Sequence, residues 1–209
     1  MNSVKLCIKR AFDIVASFLA LVFFSPIIII ISILIYIKHG KPIFFRQPRL
    51  GYKGKPFIIY KFRTMTEDCD DRGERLPDEK RLTRLGKFLR STTLDELPEL
   101  FNVLKGDMSA VGPRPLLVEY QDYYTSEEWR RHQMLPGMAG PVLSEGRNTL
   151  SWEEKFERDV WYVDNWSLWL DFKIIIRTAF KVIKREGVSA KGHATMPRFA
   201  GKQEDGCQE

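Results

Sequence analysis

AFDIVASFLALVFFSPIIIIISILIYI, residues 11–37, carries one charged side chain, Asp13, in 27 residues. A stretch this long and apolar meets the requirements of a membrane-inserted helix rather than a soluble core helix. As one straight helix it would measure about 40 Å against a hydrocarbon core of about 30 Å, enough to cross with tilt. Ser25-Pro26 lies near its middle. Proline there removes the hydrogen bond to the Val22 carbonyl and Ser25 can bond back to an upstream carbonyl, so a kink or break is expected. Both flanks are basic, with Lys5, Lys9 and Arg10 before and Lys38 and Lys41 after. The positive-inside bias favours both ends in the cytoplasm, which a re-entrant helix-break-helix satisfies, but membrane prolines are common and the residues alone favour an ordinary kinked spanning helix. The run is too long for a signal h-region and lacks a small-residue cleavage site, so it is expected to stay attached.

Beyond this segment the chain reads as a small α+β domain. PIFFRQ and FIIYKFRTM flank the turn-rich PRLGYKGKP, predicting a β-hairpin near the membrane surface. In EKRLTRLGKFLRS, Leu82, Leu85, Phe88 and Leu89 recur at helical spacing among basic residues, the mark of a short amphipathic helix. A further helix is expected in PELFNVLKGD, opened by Pro98 and capped by Gly106. LWLDFKIIIRTAFKVIKREG keeps an apolar face through Leu168, Leu170, Ile174, Ile175, Ala179 and Val182, suited to core or membrane interface. The expected organisation is a membrane segment over 1–40, a cytosolic domain over 41–186 and a polar tail over 187–209.

The 33 Lys and Arg against 27 Asp and Glu give a net charge of +6, which suits phosphate-bearing partners without choosing among them. Cys7, Cys69 and Cys207 are too few and scattered for a disulfide framework. His39, His132 and His193 are isolated, so no structural zinc is expected.

Asp95-Glu96 in STTLDELPEL sits at the start of a helix, where carboxylates are commonplace, and Thr93 with Glu96 matches a T-x-x-E capping box. The pair gains interest from its basic surroundings. Lys61 and Arg63 alternate along a predicted strand, Arg90 lies just upstream, and Arg114 sits in the rigid VGPRP turn. A carboxylate can attack phosphorus when a metal ion and such cations offset the phosphate charge. Adjacent carboxylates are poorly placed for glycosidase chemistry, which needs them on opposite faces of a sugar.

KRAFDIVAS with the FSP that follows, YKFRTM, LRSTTLDELPELFNVLKGDMSAVGPRPLLVEY, EGRN, FERDVWYVDN and GVSAKGHATM together resemble the bacterial sugar transferases, the small monotopic phosphoglycosyl transferases. The resemblance runs through nearly the whole chain. It implies a re-entrant membrane helix broken at Ser25-Pro26, a small β-hairpin and several amphipathic interfacial helices at the cytoplasmic face of the bacterial inner membrane. By the same resemblance, Asp95 is the nucleophile that takes a phosphosugar from a UDP-sugar, releases UMP, and passes the phosphosugar to undecaprenyl phosphate. Magnesium would bind at Asp95 and Glu96, Lys61, Arg63, Arg90 and Arg114 would contact phosphate, and Arg147 and Asn148 the nucleotide. N-acetylated sugars are the expected cargo and a homodimer is allowed. PGMAGPVLSEGRN departs from the family's usual PGITGWAQVNGRN by losing a Trp and a Gln and gaining a proline.

Two other classes compete. A membrane-surface adaptor would bind anionic membrane lipid through its basic residues and tolerate replacement of Asp95. A nucleic-acid-binding protein would leave the membrane segment unexplained and no such motif is present, so no nucleic acid is expected as a partner.

Overall fold

The computed structural model describes residues 3–146, 150–184 and 199. Arg147, Asn148 and the expected tail, Phe199 apart, lie outside these described residues. Helix α1, Ser3–His39, is continuous through Ser25 and Pro26. The expected interruption of helical backbone does not occur. Ser25 Oγ donates to the Val22 carbonyl at 2.8 Å, the acceptor that the proline leaves without its usual N–H.

The two ends of α1 both close on the rest of the protein. Near the start, Lys9, Asp13 and Ser17 follow one another at helical spacing and are buried. The Ala110 amide donates to Asp13 Oδ1 at 3.0 Å, and Arg10 donates to the Val103 and Leu104 carbonyls at 2.6 and 2.9 Å. Near the end, Ile31 and Ile35 pack with Phe62 and Leu89. Between these anchors Phe18, Leu19, Val22, Phe23, Ile29 and Ile30 are each more than half exposed. Apolar surface of this extent is unstable in water and requires a cover.

Strands β1, Phe44–Leu50, and β2, Pro56–Phe62, form the expected antiparallel hairpin, with Phe44 opposite Phe62 and Leu50 opposite Pro56. After a short α2, Asp78–Arg81, helix α3 spans Arg84–Ser91, its N-terminus capped by Thr83 Oγ1 accepting from the Gly86 amide. Leu89 is buried, but Phe88 turns outward, unlike the face read from spacing. Helix α4, Glu99–Lys105, begins after Pro98 and ends at Gly106, whose φ of 99° is the left-handed cap that glycine adopts freely. Its Asn102 ties it to the hairpin, accepting from the Tyr60 amide at 3.1 Å and donating to the Ile58 carbonyl at 2.7 Å.

One pairing is not foreshadowed by periodicity. β3, Ser109–Val111, lies parallel to β4, Gly137–Ala139. A Cβ on Gly137 would come 2.0 Å from the Gly112 nitrogen, and one on Gly112 would come 2.3 Å from the Leu135 carbonyl oxygen. The glycines of the two turn-rich stretches therefore let the backbones touch, which rigidifies the loop carrying Arg114. Short α5, Ser126–Trp129, and α6, Pro141–Gly146, lead to α7, Trp152–Asp164, opened by a Ser151 and Glu154 capping box.

Helix α8, Leu168–Lys184, presents Asp171 and Ile174 to the interior. Trp169, Phe172, Ile176 and Phe180 stay exposed on its other side. Asp171 accepts from Lys9 at 2.6 Å, from the Tyr162 hydroxyl at 2.7 Å and from Trp166 Nε1 at 3.1 Å, which locks α8 to α1. Over the described residues the fold is thus α+β, mixed helical with two small sheets and one long apolar N-terminal helix.

Candidate active site

Lys61 is the penultimate residue of β2, and its ammonium reaches across to the segment that precedes α4. Lys61 Nζ donates to Glu96 Oε1 at 2.6 Å and lies 3.1 Å from Glu99 Oε1. Arg114, in the loop after β3, donates through Nη2 to that same Glu96 oxygen at 2.7 Å. Two cations from separate parts of the chain therefore converge on one buried carboxylate oxygen, a charge-assisted arrangement that fixes all three side chains.

Glu96 is not the capping residue that T-x-x-E suggests. Thr93 has a φ of 60° and makes no side-chain cap, and residues Leu94–Glu96 form a tight 3-10 turn. Left-handed backbone at a β-branched residue costs about 1–3 kcal/mol, so the surrounding contacts hold it in place. The turn buries Glu96 and leaves Asp95, one residue earlier, half-buried at the edge of the cluster. The charge of Asp95 adds to those of Glu96 and Glu99 in holding the Arg114 guanidinium protonated, Glu96 contributing most.

Glu99 is a member that sequence reading missed, since a glutamate in the first turn of a helix invites no special notice. It is almost fully buried, and burial pushes its carboxyl up to about 7 despite the opposing pull of Lys61, with Glu96 pushing the same way. Arg90 donates through Nε to Thr64 Oγ1 at 3.0 Å, just past the end of β2.

Arg63 is not brought into this cluster. The strand stops at Phe62, so the period-2 alternation with Lys61 lapses. Its buried guanidinium instead donates to the carbonyls of His39, Gly40 and Lys41 and caps the C-terminal end of α1. Arg147 and Asn148 fall outside the described residues.

Among the described residues no group of three His, Cys, Asp or Glu side chains is arranged to hold a metal unaided. Asp95 and Glu96 do offer adjacent oxygen donors. That set suits a hard divalent cation that takes one or two protein carboxylates and completes its shell with phosphate oxygens and water.

The sequence model of a family described as bacterial sugar transferase matches residues 4–185. The uncharacterized sugar transferase EpsL of Bacillus subtilis is 51% identical over 194 residues, covering 93% of this chain and 96% of that protein. A UDP-glucose:undecaprenyl-phosphate glucose-1-phosphate transferase of Klebsiella pneumoniae is 42% identical over 87% of the chain. A UDP-N-acetylgalactosamine-undecaprenyl-phosphate N-acetylgalactosaminephosphotransferase of Aeromonas hydrophila is 38% identical over 82% of the chain. The chain spans 41% and 42% of these last two proteins.

Proposed function

The chain belongs to the bacterial sugar transferase family, and from that membership we propose that it transfers a phosphosugar from a UDP-sugar to undecaprenyl phosphate at a membrane. The observation that carries the reading is the convergence of Lys61 and Arg114 on Glu96 beside the half-buried Asp95. Cations held in advance can meet a diphosphate without reorganising, which is the main requirement of phosphoryl transfer.

In the proposed reaction an Asp95 carboxylate oxygen bonds to the sugar-bearing phosphorus. The phosphoanhydride bond breaks and UMP departs with the bridging oxygen. The acyl-phosphate is then attacked by an oxygen of undecaprenyl phosphate, giving the diphosphate-linked sugar and freeing Asp95. Lys61, Arg90 and Arg114 take the phosphate charge, while Arg63 secures the junction between α1 and the hairpin. Glu96 orients Lys61 and Arg114 and, with Asp95, would hold magnesium. When bound, that ion would neutralise charge on the donor's phosphates.

The relatives' names differ in their sugar, and an N-acetylated sugar is the member of this set we favour. We read α1 as re-entrant: both ends are anchored on one domain and the bare middle, Phe18 to Ile30, lies in lipid. The axis must then bend at Ser25-Pro26 within a continuous helix. The exposed stripe Trp169, Phe172, Ile176 and Phe180 of α8 would lie in the interface, with the active site on the cytoplasmic face.

The test is UMP release from a panel of UDP-sugars with undecaprenyl phosphate and magnesium, using the full chain and its Asp95→Asn variant. Release by the wild type that falls by about a thousand-fold or more in the variant is expected, the scale of losing a nucleophile. Equal release by both proteins would remove the covalent mechanism, and none from any donor would remove the transferase reading.

A further inference from the structure

Arg49, near the end of β1, is a cation that no carboxylate among the described residues pairs directly. It faces the same side of the hairpin as Lys61. In the antiparallel register Phe45 stands opposite Lys61, and Phe45, Gln47 and Arg49 alternate onto that one face. The free edge of β1 is stitched at this point to the segment that follows Arg114. Arg49 bridges Leu117, and the Leu50 amide donates to the Leu116 carbonyl at 3.0 Å. Two arginines are thus carried into neighbouring positions by directly bonded backbone.

The local carboxylates are claimed by others. Glu96 Oε1 is shared between Lys61 and Arg114, and Glu99 faces Lys61 at 3.1 Å. Arg49 forms no ion pair with a carboxylate of the described residues; its one hydrogen bond among them runs from Nη2 to the neutral Gln47 Oε1 at 2.8 Å. Its Nε is buried with no acceptor among the described residues. Burial first, and then the nearby charge of Arg114, push this guanidinium down to about 10 against the weaker opposing pull of Glu99 and Glu96, so it remains charged at neutral pH. A buried donor on a charged group without an acceptor is destabilising unless a ligand completes it.

We infer that Arg49 is a further phosphate-binding residue of this site, a guanidinium that waits beside Arg114 for the oxygens of a phosphate group. The inference rests on the transferase reading and deepens it. That reaction brings two phosphate-bearing molecules to the site, the nucleotide diphosphate of the donor and the monophosphate of the lipid acceptor. A planar fork of donors suits either.

The experiment uses the full chain in lipid nanodiscs, as wild type, Arg49→Met and Arg49→Lys, and reads binding rather than turnover. UDP is titrated in one arm and undecaprenyl phosphate in the other, with the unliganded melting temperature recorded for each protein. Arg49→Met should weaken at least one of these ligands by about ten-fold or more, the scale of a charged hydrogen bond. Arg49→Lys, which keeps the charge and loses the fork, should fall between. Loss in the UDP arm assigns the guanidinium to the donor, and loss in the lipid arm assigns it to the acceptor. The unliganded melting temperature of Arg49→Met should equal or exceed that of the wild type, because an uncompensated charge has been removed.

Unchanged affinity for both ligands in both variants, with the wild type binding, overturns the role of Arg49 and leaves the transferase reading standing. A wild type that binds neither ligand overturns that reading instead. An Arg49→Met protein that no longer folds would show the guanidinium to be structural if Arg49→Lys binds both ligands as the wild type does.

Discussion

Two buried carboxylates, Asp171 and Glu96, are treated in opposite ways by the protein around them. Asp171 receives one cation and two neutral donors, Lys9, Tyr162 and Trp166, spread over its two oxygens. Glu96 places two cations on a single oxygen, with a second buried carboxyl, Glu99, behind them and Arg49 in no direct ion pair among the described residues. The first arrangement is locally satisfied and joins α1 to α8. The second concentrates charge and leaves the buried Arg49 Nε without an acceptor among the described residues, the donor that the proposed phosphate would complete. Buried charge that is fully matched serves architecture, and buried charge left in imbalance marks a place where a charged ligand arrives.

Breaking the matched cluster should have the largest effect on stability. Asp171→Ala strands the Lys9 ammonium, which is almost fully buried, and should lower unfolding free energy by about 3–5 kcal/mol in denaturant titration. Replacing both partners, Lys9→Met with Asp171→Leu, should recover most of that loss, because no charge is then left alone. A double variant as unstable as the single one would mean that the Tyr162 and Trp166 bonds, not the ion pair, do the joining.

The imbalanced cluster should respond in activity. Glu96→Gln keeps a carbonyl for Lys61 or Arg114 but releases the charge that holds both. We expect UMP release to drop by about a hundred-fold, roughly 2.7 kcal/mol of barrier, with unfolding free energy changed by less than about 1 kcal/mol. A variant that loses stability and keeps turnover would place Glu96 with Asp171 on the architectural side.

The sequence made much of the architecture legible and less of this contrast. The hairpin follows from turn residues around Gly51 to Lys55, and α4 from Pro98 and Gly106, because these signals act within a few residues. Helical backbone runs on through Pro26, and the hydroxyl next to it satisfies the carbonyl that the proline leaves open. T-x-x-E is equally local, yet Glu96 is committed to Lys61 and Arg114, partners 35 and 18 residues away. Glu99 and Arg49 carry no local pattern, because what defines them is which distant side chains surround them. The parallel pairing of β3 with β4 leaves one trace in the sequence, the glycines that let the backbones meet.

The smallest expected effect concerns pH and separates the site from a buried histidine outside it. Glu99 is raised from 4.5 to about 7, chiefly by burial. Between those values the folded chain keeps a proton that the unfolded chain has released, so this residue's contribution to stability falls as pH rises through that window. His132 has the opposite sign. Burial, then Arg131, lower it from 6.5 to about 4, while its Nδ1 contact with the Gly51 carbonyl at 3.2 Å opposes the shift. Between about 4 and 6.5 the unfolded chain binds the extra proton, and this contribution rises with pH. The two slopes oppose each other in the wild type. Glu99→Gln removes the falling one, so its melting temperature relative to the wild type should increase from pH 5 to pH 7. An offset that stays constant across that range would mean that Glu99 is ionised throughout, and that Lys61 balances its charge as fully as Lys9 balances that of Asp171.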